Sequence, residues 1–176
     1  MLAASAYMIV FRIVHILAGI AWAGSVFLFV IFVQPSVAAI APAGAPFMAE
    51  LLGKRRLADR LIALGSITVI GGLFLYWHDW HDFGGFGDWI SSTFGAVITA
   101  GAAAAIIGLG IGIFGTRPNV MRLLSLGRQA AEAGGPPPPE LAAEMGRTQA
   151  RLKIFARTTL GLIALSALAM ATARYL

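Results

Sequence analysis

Cysteine is absent from this 176-residue chain, and charged residues are scarce. The lack of cysteine excludes disulfides, thiolate metal sites and cysteine nucleophiles. Charged residues make up 12% of the chain and hydrophobic residues 59%, whereas globular proteins average about 25% charged and about 45–50% apolar. Because so few polar groups cannot cover the surface of a soluble domain, we expect much of the apolar surface to face lipid.

Four apolar segments are long enough to cross a bilayer. A helix needs about 20 mostly apolar residues to span roughly 30 Å of hydrocarbon, and a single helix satisfies its own backbone hydrogen bonds there. The segments are residues 7–33, 58–78, 90–115 and 152–174. No basic residue precedes the first one, so we expect a retained span and not a cleaved signal peptide. The sequence predicts an all-α integral membrane four-helix bundle, with residues 1–176 as one transmembrane domain.

Basic residues are unevenly distributed between the connections. All of the 13 except Arg12 and Arg174 lie in residues 34–57 and 116–151 or in the helix ends beside them, and residues 79–89 contain none. Since cytoplasmic loops are enriched in lysine and arginine, residues 34–57 and 116–151 are predicted to be cytoplasmic. Residues 79–89 and both termini then lie on the outer, periplasmic side of a bacterial inner membrane. The basic face suits anionic lipid headgroups, so the bilayer is the expected partner and nucleic acid is not.

The second basic connection contains GGPPPP at residues 134–139, which predicts a stiff polyproline spacer. The sequences on either side are amphipathic and helix-favouring. We expect them to prolong the third and fourth spans as a helical hairpin on the cytoplasmic side.

Small residues recur every four positions in the third span, at Ala100, Ala104, Gly108 and Gly112. Such a ridge lets a neighbouring helix approach closely. The neighbour is either another helix of the same chain, or a second copy or other partner in a membrane complex. The sequence leaves these alternatives open.

The first span contains an arginine and a histidine in the otherwise apolar stretch FRIVHILAGIAWAG. On a helix Arg12, His15, Gly19 and Trp22 fall on one face. Ionisable residues inside a span are costly and are therefore candidate functional residues. The predicted orientation brings all three histidines to the outer half of the molecule, together with Arg174 at the end of the fourth span.

One hypothesis for this group is a b-type haem. Imidazoles ligate haem iron from opposite faces, and His15 and His78 are the candidates. Arg12 and Arg174 are the candidates for pairing with the propionates. Gly19 would leave room for the flat macrocycle.

Two other hypotheses remain open. His78 and His81 lie three residues apart with Asp82 beside them, a ligand set that copper or zinc accepts. Alternatively, no cofactor binds: residues 79–89 form an interfacial cap, and His15 is hydrogen-bonded within the bundle.

The stretch from His15 through Trp22-Ala23-Gly24 to Gln34-Pro35 resembles the first helix of CopD-like copper-resistance membrane proteins. It is also similar to that of the four-helix HemJ-type proteins of haem biosynthesis, which oxidise protoporphyrinogen. The closing residues 160–176 look like the last helix of uncharacterised bacterial proteins of the same broad group. The resemblance implies that His15 is a functional imidazole and that Trp22 and Gly24 are packing residues.

The favoured function is therefore a haem-binding or redox-linked membrane protein that works at the outer face. One alternative is a non-catalytic accessory or scaffold subunit of a membrane complex, and the other is a copper-handling CopD-like protein. Whether the chain catalyses a reaction stays open.

Overall fold

Four long helices and several shorter ones make up the computed structural model, which describes the backbone of residues 2–176 and the side chains of residues 6–176. In chain order they are α1 (Leu2–Leu28), α2 (Gln34–Ala39), α3 (Ala45–Met48), α4 (Leu57–Asp82), α5 (Phe86–Ser91), α6 (Thr93–Gly110), α7 (Arg117–Glu132) and α8 (Pro139–Thr172), followed by a 3-10 turn at Ala173–Tyr175. No strand occurs within residues 2–176. The predicted all-α class is confirmed.

Four continuous helical stretches are long and apolar enough to span a membrane: Ala6–Ala39, Leu57–Asp82, Thr93–Glu132 and Pro139–Tyr175. They correspond to the four predicted spans. Large apolar side chains lie on the outside of these helices, such as Leu17, which is 62% exposed, and Phe114, which is 82% exposed. Since a soluble surface rarely presents so much contiguous apolar area, the chain is a multi-pass membrane protein.

The long helices pack as two antiparallel pairs. α1 lies along α4, and α6 lies along α8, while contacts between α4 and α6 and between α1 and α8 close the bundle. A core cluster of Trp22, Val26, Val30 and Ile163 joins the first pair to α8. One end of the bundle carries residues 79–89, the start of α1 and the 3-10 turn after α8, and we call it the acidic end. The other carries residues 34–57 and 116–151, and we call it the basic end.

The small residues of α6 lie against other helices of the same chain. Ala104 and Gly108 are buried, and a Cβ atom added to Gly108 would lie 3.6 Å from the Cβ of Leu162 in α8. A Cβ added to Gly112 would lie 3.8 Å from Ile62 of α4. Packing within the chain therefore accounts for these three positions. A partner helix on this face, where Ala100 is exposed, stays a prediction.

Two of the spans change their helical geometry just before a proline. π-helical turns cover Phe29–Val33 before Pro35 and Ile111–Thr116 before Pro118. Proline has no N–H to donate to the carbonyl four residues earlier, and its ring crowds that carbonyl. The backbone instead forms wider turns, as π-helical insertions in α-helices do. In both spans the wide turn lies near the basic end.

Ion pairs connect the helices at the basic end. Asp59 of α4 accepts hydrogen bonds from Arg56 Nε at 2.9 Å and from Arg117 Nε of α7 at 2.7 Å. Arg122 of α7 pairs with Glu144 of α8 at 2.6 Å. α7 and α8 pack along each other beyond the spans, which is the hairpin that the amphipathic pattern predicts.

A short helical connection closes the acidic end. α4 continues to Asp82, and the backbone then turns through Gly84 and Gly85, whose φ angles of 98° and 120° suit glycine. Trp89 of α5 is only 1% exposed because aromatic rings pack edge-on around it, namely those of Tyr76, Phe83 and Phe94. Ser92 then caps α6 by accepting a hydrogen bond from the Gly95 N–H at 3.0 Å.

Candidate functional site

His15 lies in the contact between α1 and α4, against two adjacent glycines. A Cβ atom added to Gly72 would lie 2.8 Å from His15 Cε1, and one added to Gly71 would lie 3.4 Å from His15 Cβ. Any larger side chain at position 72 would therefore displace the imidazole. The pair of glycines forms the surface on which the ring rests.

The imidazole of His15 is hydrogen-bonded to the backbone of α4. Its Nδ1 lies 2.7 Å from the carbonyl oxygen of Thr68. Because a carbonyl only accepts, Nδ1 carries the proton, and in the neutral ring Nε2 keeps a free lone pair. A histidine fixed in this way by a backbone carbonyl can use Nε2 as an acceptor or as a metal ligand.

Gly19 and Trp22 lie on the same face of α1 as His15, as predicted, and this face packs against α4. Thr68 fills the space beside Gly19, since a Cβ added there would lie 3.4 Å from Thr68 Cγ2. Trp22 is 5% exposed, and its Cε2 atom would lie 2.8 Å from a Cβ added to Gly65. The face therefore serves helix packing along its length.

Arg12 lines a different surface, a groove of about 560 Å³ at the acidic end. α1 and α4 both contribute to it, and its lining residues are Met8, Ile9, Arg12, Ile13, Ile16, His78 and Asp79. Arg12 and Asp79 both line the groove, so opposite charges from α1 and α4 share its polar end. The groove thus combines an apolar wall from α1 with a polar end that holds a cation, an imidazole and a carboxylate.

His78 is the imidazole of this groove, and its Nδ1 atom is buried. Nδ1 lies 3.4 Å from Asp82 Oδ2 and 3.7 Å from Asp79 Oδ1. Among the described side chains it has no hydrogen-bond partner. The ring of Tyr7 approaches edge-on, with centroids 6.3 Å apart. The two carboxylates are therefore the polar neighbours of this nitrogen, at ion-pair distance but without hydrogen-bond geometry.

His15 and His78 have separate neighbours. The described contacts of His15 are with Thr68, Gly71 and Gly72, whereas His78 lies beside Tyr7 and two aspartates. The groove therefore contains one of the two imidazoles that the sequence suggested as haem ligands.

His81 and Arg174 lie outside the groove. The exposed His81 ring lies against Trp80, with centroids 4.1 Å apart. Arg174 Cζ lies 5.4 Å from the ring centroid of Tyr175, in the 3-10 turn that packs against α6. Of the predicted metal ligands, His78 and Asp82 approach within 3.4 Å, whereas the His81 ring lies against Trp77 and Trp80. Within the described part of the chain, no three histidine or carboxylate side chains form a metal-binding group.

Sequence reasoning did not identify Thr68, Gly71, Gly72 and Asp79 as members of this region. The signal for three of them was present: Thr68, Gly71 and Gly72 are small residues that share one face of the second span with Gly65. That spacing is the counterpart on α4 of the face predicted on α1. Asp79 gave no such signal, because its role depends on how α1 is rotated against α4.

Comparisons with protein-family models, with curated proteins and with solved structures found no match to the chain. The geometry of the groove and of the helix contact is therefore the basis on which the function is proposed.

Proposed function

We propose that this chain is a multi-pass protein of a bacterial inner membrane, with both termini outside, that binds b-type haem or another redox-linked amphipathic group at its outer face. The observation that carries the proposal is that Arg12 and His78, from two different helices, line one groove with an apolar wall. Pockets for cofactors combine apolar walls with a few convergent polar groups in this way and have volumes of about 300–1,000 Å³.

The groove residues fit a haem in part. His78 offers an imidazole as an axial ligand, and Arg12 offers a guanidinium that pairs with a propionate. The isoleucines of α1 would contact the macrocycle. Bound haem would supply one-electron chemistry, and the protein would contribute orientation and charge compensation.

His15 takes a different role in this proposal from the one expected. Its hydrogen bond to a backbone carbonyl is the arrangement that metal-ligating histidines commonly have, but its ring rests on Gly71 and Gly72 and does not line the groove. We therefore assign His78 as the first ligand candidate. His15 positions α1 against α4. Arg174 has no role in the proposed haem site, because it lies outside the groove.

The absorption spectrum of the purified protein tests the proposal. Wild-type protein is expected to show a Soret band, which His78→Ala abolishes and Arg12→Gln weakens. His81→Ala is the matched control, because it removes an exposed imidazole of the same helix outside the groove. A colourless wild-type protein that takes up no added haem would contradict the proposal.

A second candidate is a non-catalytic accessory subunit, and the hydrogen bond of His15 to Thr68 favours it. That bond accounts for an ionisable residue in the first span without any cofactor. Colourless protein that co-purifies in fixed ratio with other membrane proteins would support this role. Copper that is lost in both His78→Ala and His81→Ala would instead support the copper-handling function implied by the CopD-like resemblance.

A further inference from the structure

α8 is a single long helix with two different sides. The buried residues of its inner side are Thr148, Leu152, Thr159, Ile163 and Ser166. At 100° per residue the opposite side is centred on Ile154, which is 63% exposed. Arg147, Arg151 and Arg157 lie within about 60° of Ile154 around the helix axis, and all three are exposed. One outward face of α8 therefore carries three arginines near the basic end.

These arginines are not neutralised by the carboxylates around them. At the basic end Glu50 pairs with Lys54 and Arg55, Asp59 pairs with two arginines, and Glu144 pairs with Arg122. Within the described residues no ion pair includes any arginine of the outward face of α8. Three positive charges remain available to a negatively charged group from outside the chain.

The same face becomes apolar toward the middle of the span. Leu165 and Leu168 are 56% and 63% exposed, and a Cβ atom added to Gly161 would meet nothing within 4 Å. From Arg157 to Leu168 the helix rises about 16 Å, close to half of the roughly 30 Å hydrocarbon core. The arginines therefore match the headgroup of a phospholipid, and the apolar surface beyond them, as deep as one leaflet, matches its acyl chains.

We infer that the outward face of α8 binds an anionic phospholipid of the leaflet at the basic end. Arg151 and Arg157 hold the headgroup phosphate, since guanidinium groups donate paired hydrogen bonds to phosphate oxygens. The acyl chains lie along Gly161, Leu165 and Leu168. Anionic headgroups are favoured over zwitterionic ones because each nearby cation adds attraction. This site is independent of the groove at the acidic end.

Native mass spectrometry of the purified full-length protein tests the inference, with phosphatidylglycerol and phosphatidylcholine of identical acyl chains as probes. Wild-type protein is expected to bind phosphatidylglycerol at least tenfold more tightly. The double variant Arg151→Gln with Arg157→Gln is expected to weaken that binding about thirtyfold, at about 1 kcal/mol for each lost cation. The Arg151→Lys and Arg157→Lys pair keeps both charges and is expected to retain most of the preference.

The control removes two exposed arginines from other helices, Arg60→Gln with Arg128→Gln, neither of which has an ion pair among the described contacts. It is expected to bind phosphatidylglycerol like the wild type. An equal loss in this control would overturn the site, because net charge alone would then explain binding. Equal affinity of wild-type protein for the two lipids would also overturn it, and that result requires no variant to fold.

Discussion

The Nδ1 atom of His15 in α1 lies 2.7 Å from the carbonyl oxygen of Thr68 in α4. This bond joins a side chain of the first span to the backbone of the second, at the level where Gly71 and Gly72 let the helices approach. A carbonyl oxygen has two lone pairs, so Thr68 can accept from the imidazole while it also accepts from its own helix. The pairing of α1 with α4 thus combines close packing with a polar bond.

Removal of that bond should destabilise the pairing of the first two spans. We expect His15→Leu, which keeps most of the bulk, to lower the free energy of unfolding by about 0.6–1.7 kcal/mol, between the average and the largest values measured for hydrogen bonds between membrane helices. Unfolding in detergent micelles measures the effect. His81→Leu is the control, since the exposed His81 makes no such bond, and equal stability of His15→Leu and wild type would refute the prediction.

A methyl group at Gly65 should disturb the contact between α1 and α4. Its Cβ would lie 2.8 Å from Trp22 Cε2 and 3.0 Å from Leu109 Cδ1, so we expect Gly65→Ala to cost about 1–3 kcal/mol through overpacking. Gly24→Ala is the matched variant in α1, where the added Cβ meets nothing within 4 Å. The same unfolding assay should rank Gly65→Ala clearly below Gly24→Ala, and the reverse order would show that the contact is misassigned.

The carboxyl group of Glu50 should titrate at an unusually low pH. Hydrogen bonds from Lys54, and then from Arg55, lower the pKa of Glu50 below its ordinary value of 4.5. A group whose folded-state pKa is lowered contributes stability that is present above its unfolded pKa and is lost as the pH falls through the folded value. Carboxyl-selective NMR should therefore give a midpoint below 4.5.

Removal of the two donors should reverse this effect. Lys54→Gln with Arg55→Gln is expected to move the Glu50 midpoint upward, and Arg128→Gln is expected to leave it in place. A midpoint that does not respond to the loss of Lys54 and Arg55 would mean that these ion pairs do not persist in solution.

The absence of cysteine makes the predicted orientation easy to test, because each introduced cysteine is the sole thiol of the chain. Phe86→Cys and Gly135→Cys place it at exposed positions of the acidic and basic ends. Since basic connections stay in the cytoplasm, a membrane-impermeant maleimide should label position 86 in intact cells and position 135 only after lysis. Labelling of position 135 alone in intact cells would place the basic end outside.

The four helices could be predicted from the sequence because each apolar run is long enough to cross the bilayer core. Within lipid, a single segment can satisfy its own backbone hydrogen bonds only as a helix. The shared face of His15, Gly19 and Trp22 was also predictable, since it depends only on the helical repeat. The groove was not predictable. The rotation of α1 against α4 decides which residue of α1, Arg12 or His15, lies beside His78. Gly65, Gly71 and Gly72 set that rotation through contacts with residues that are distant in the sequence.

The metal-ion hypothesis for His78, His81 and Asp82 depended in the same way on contacts that the sequence does not show. HDWHD forms a compact ligand set in the sequence, and the i, i+3 spacing on α4 places His78 and His81 on neighbouring parts of the helix surface. Each ring nevertheless packs against its own partners. His78 faces α1, whereas His81 lies on indole rings.

The wide turns before Pro35 and Pro118 change how the rest of each span must be read. One additional residue accommodated in a turn sets the direction of every later side chain back by about 100° relative to an uninterrupted α-helix. A helical wheel drawn without interruption from Trp22 to Val37 would therefore place the later side chains on the wrong side of the helix. Pairs of residues at the basic end that are chosen for cross-linking should therefore be selected on a new helical wheel that begins after each proline.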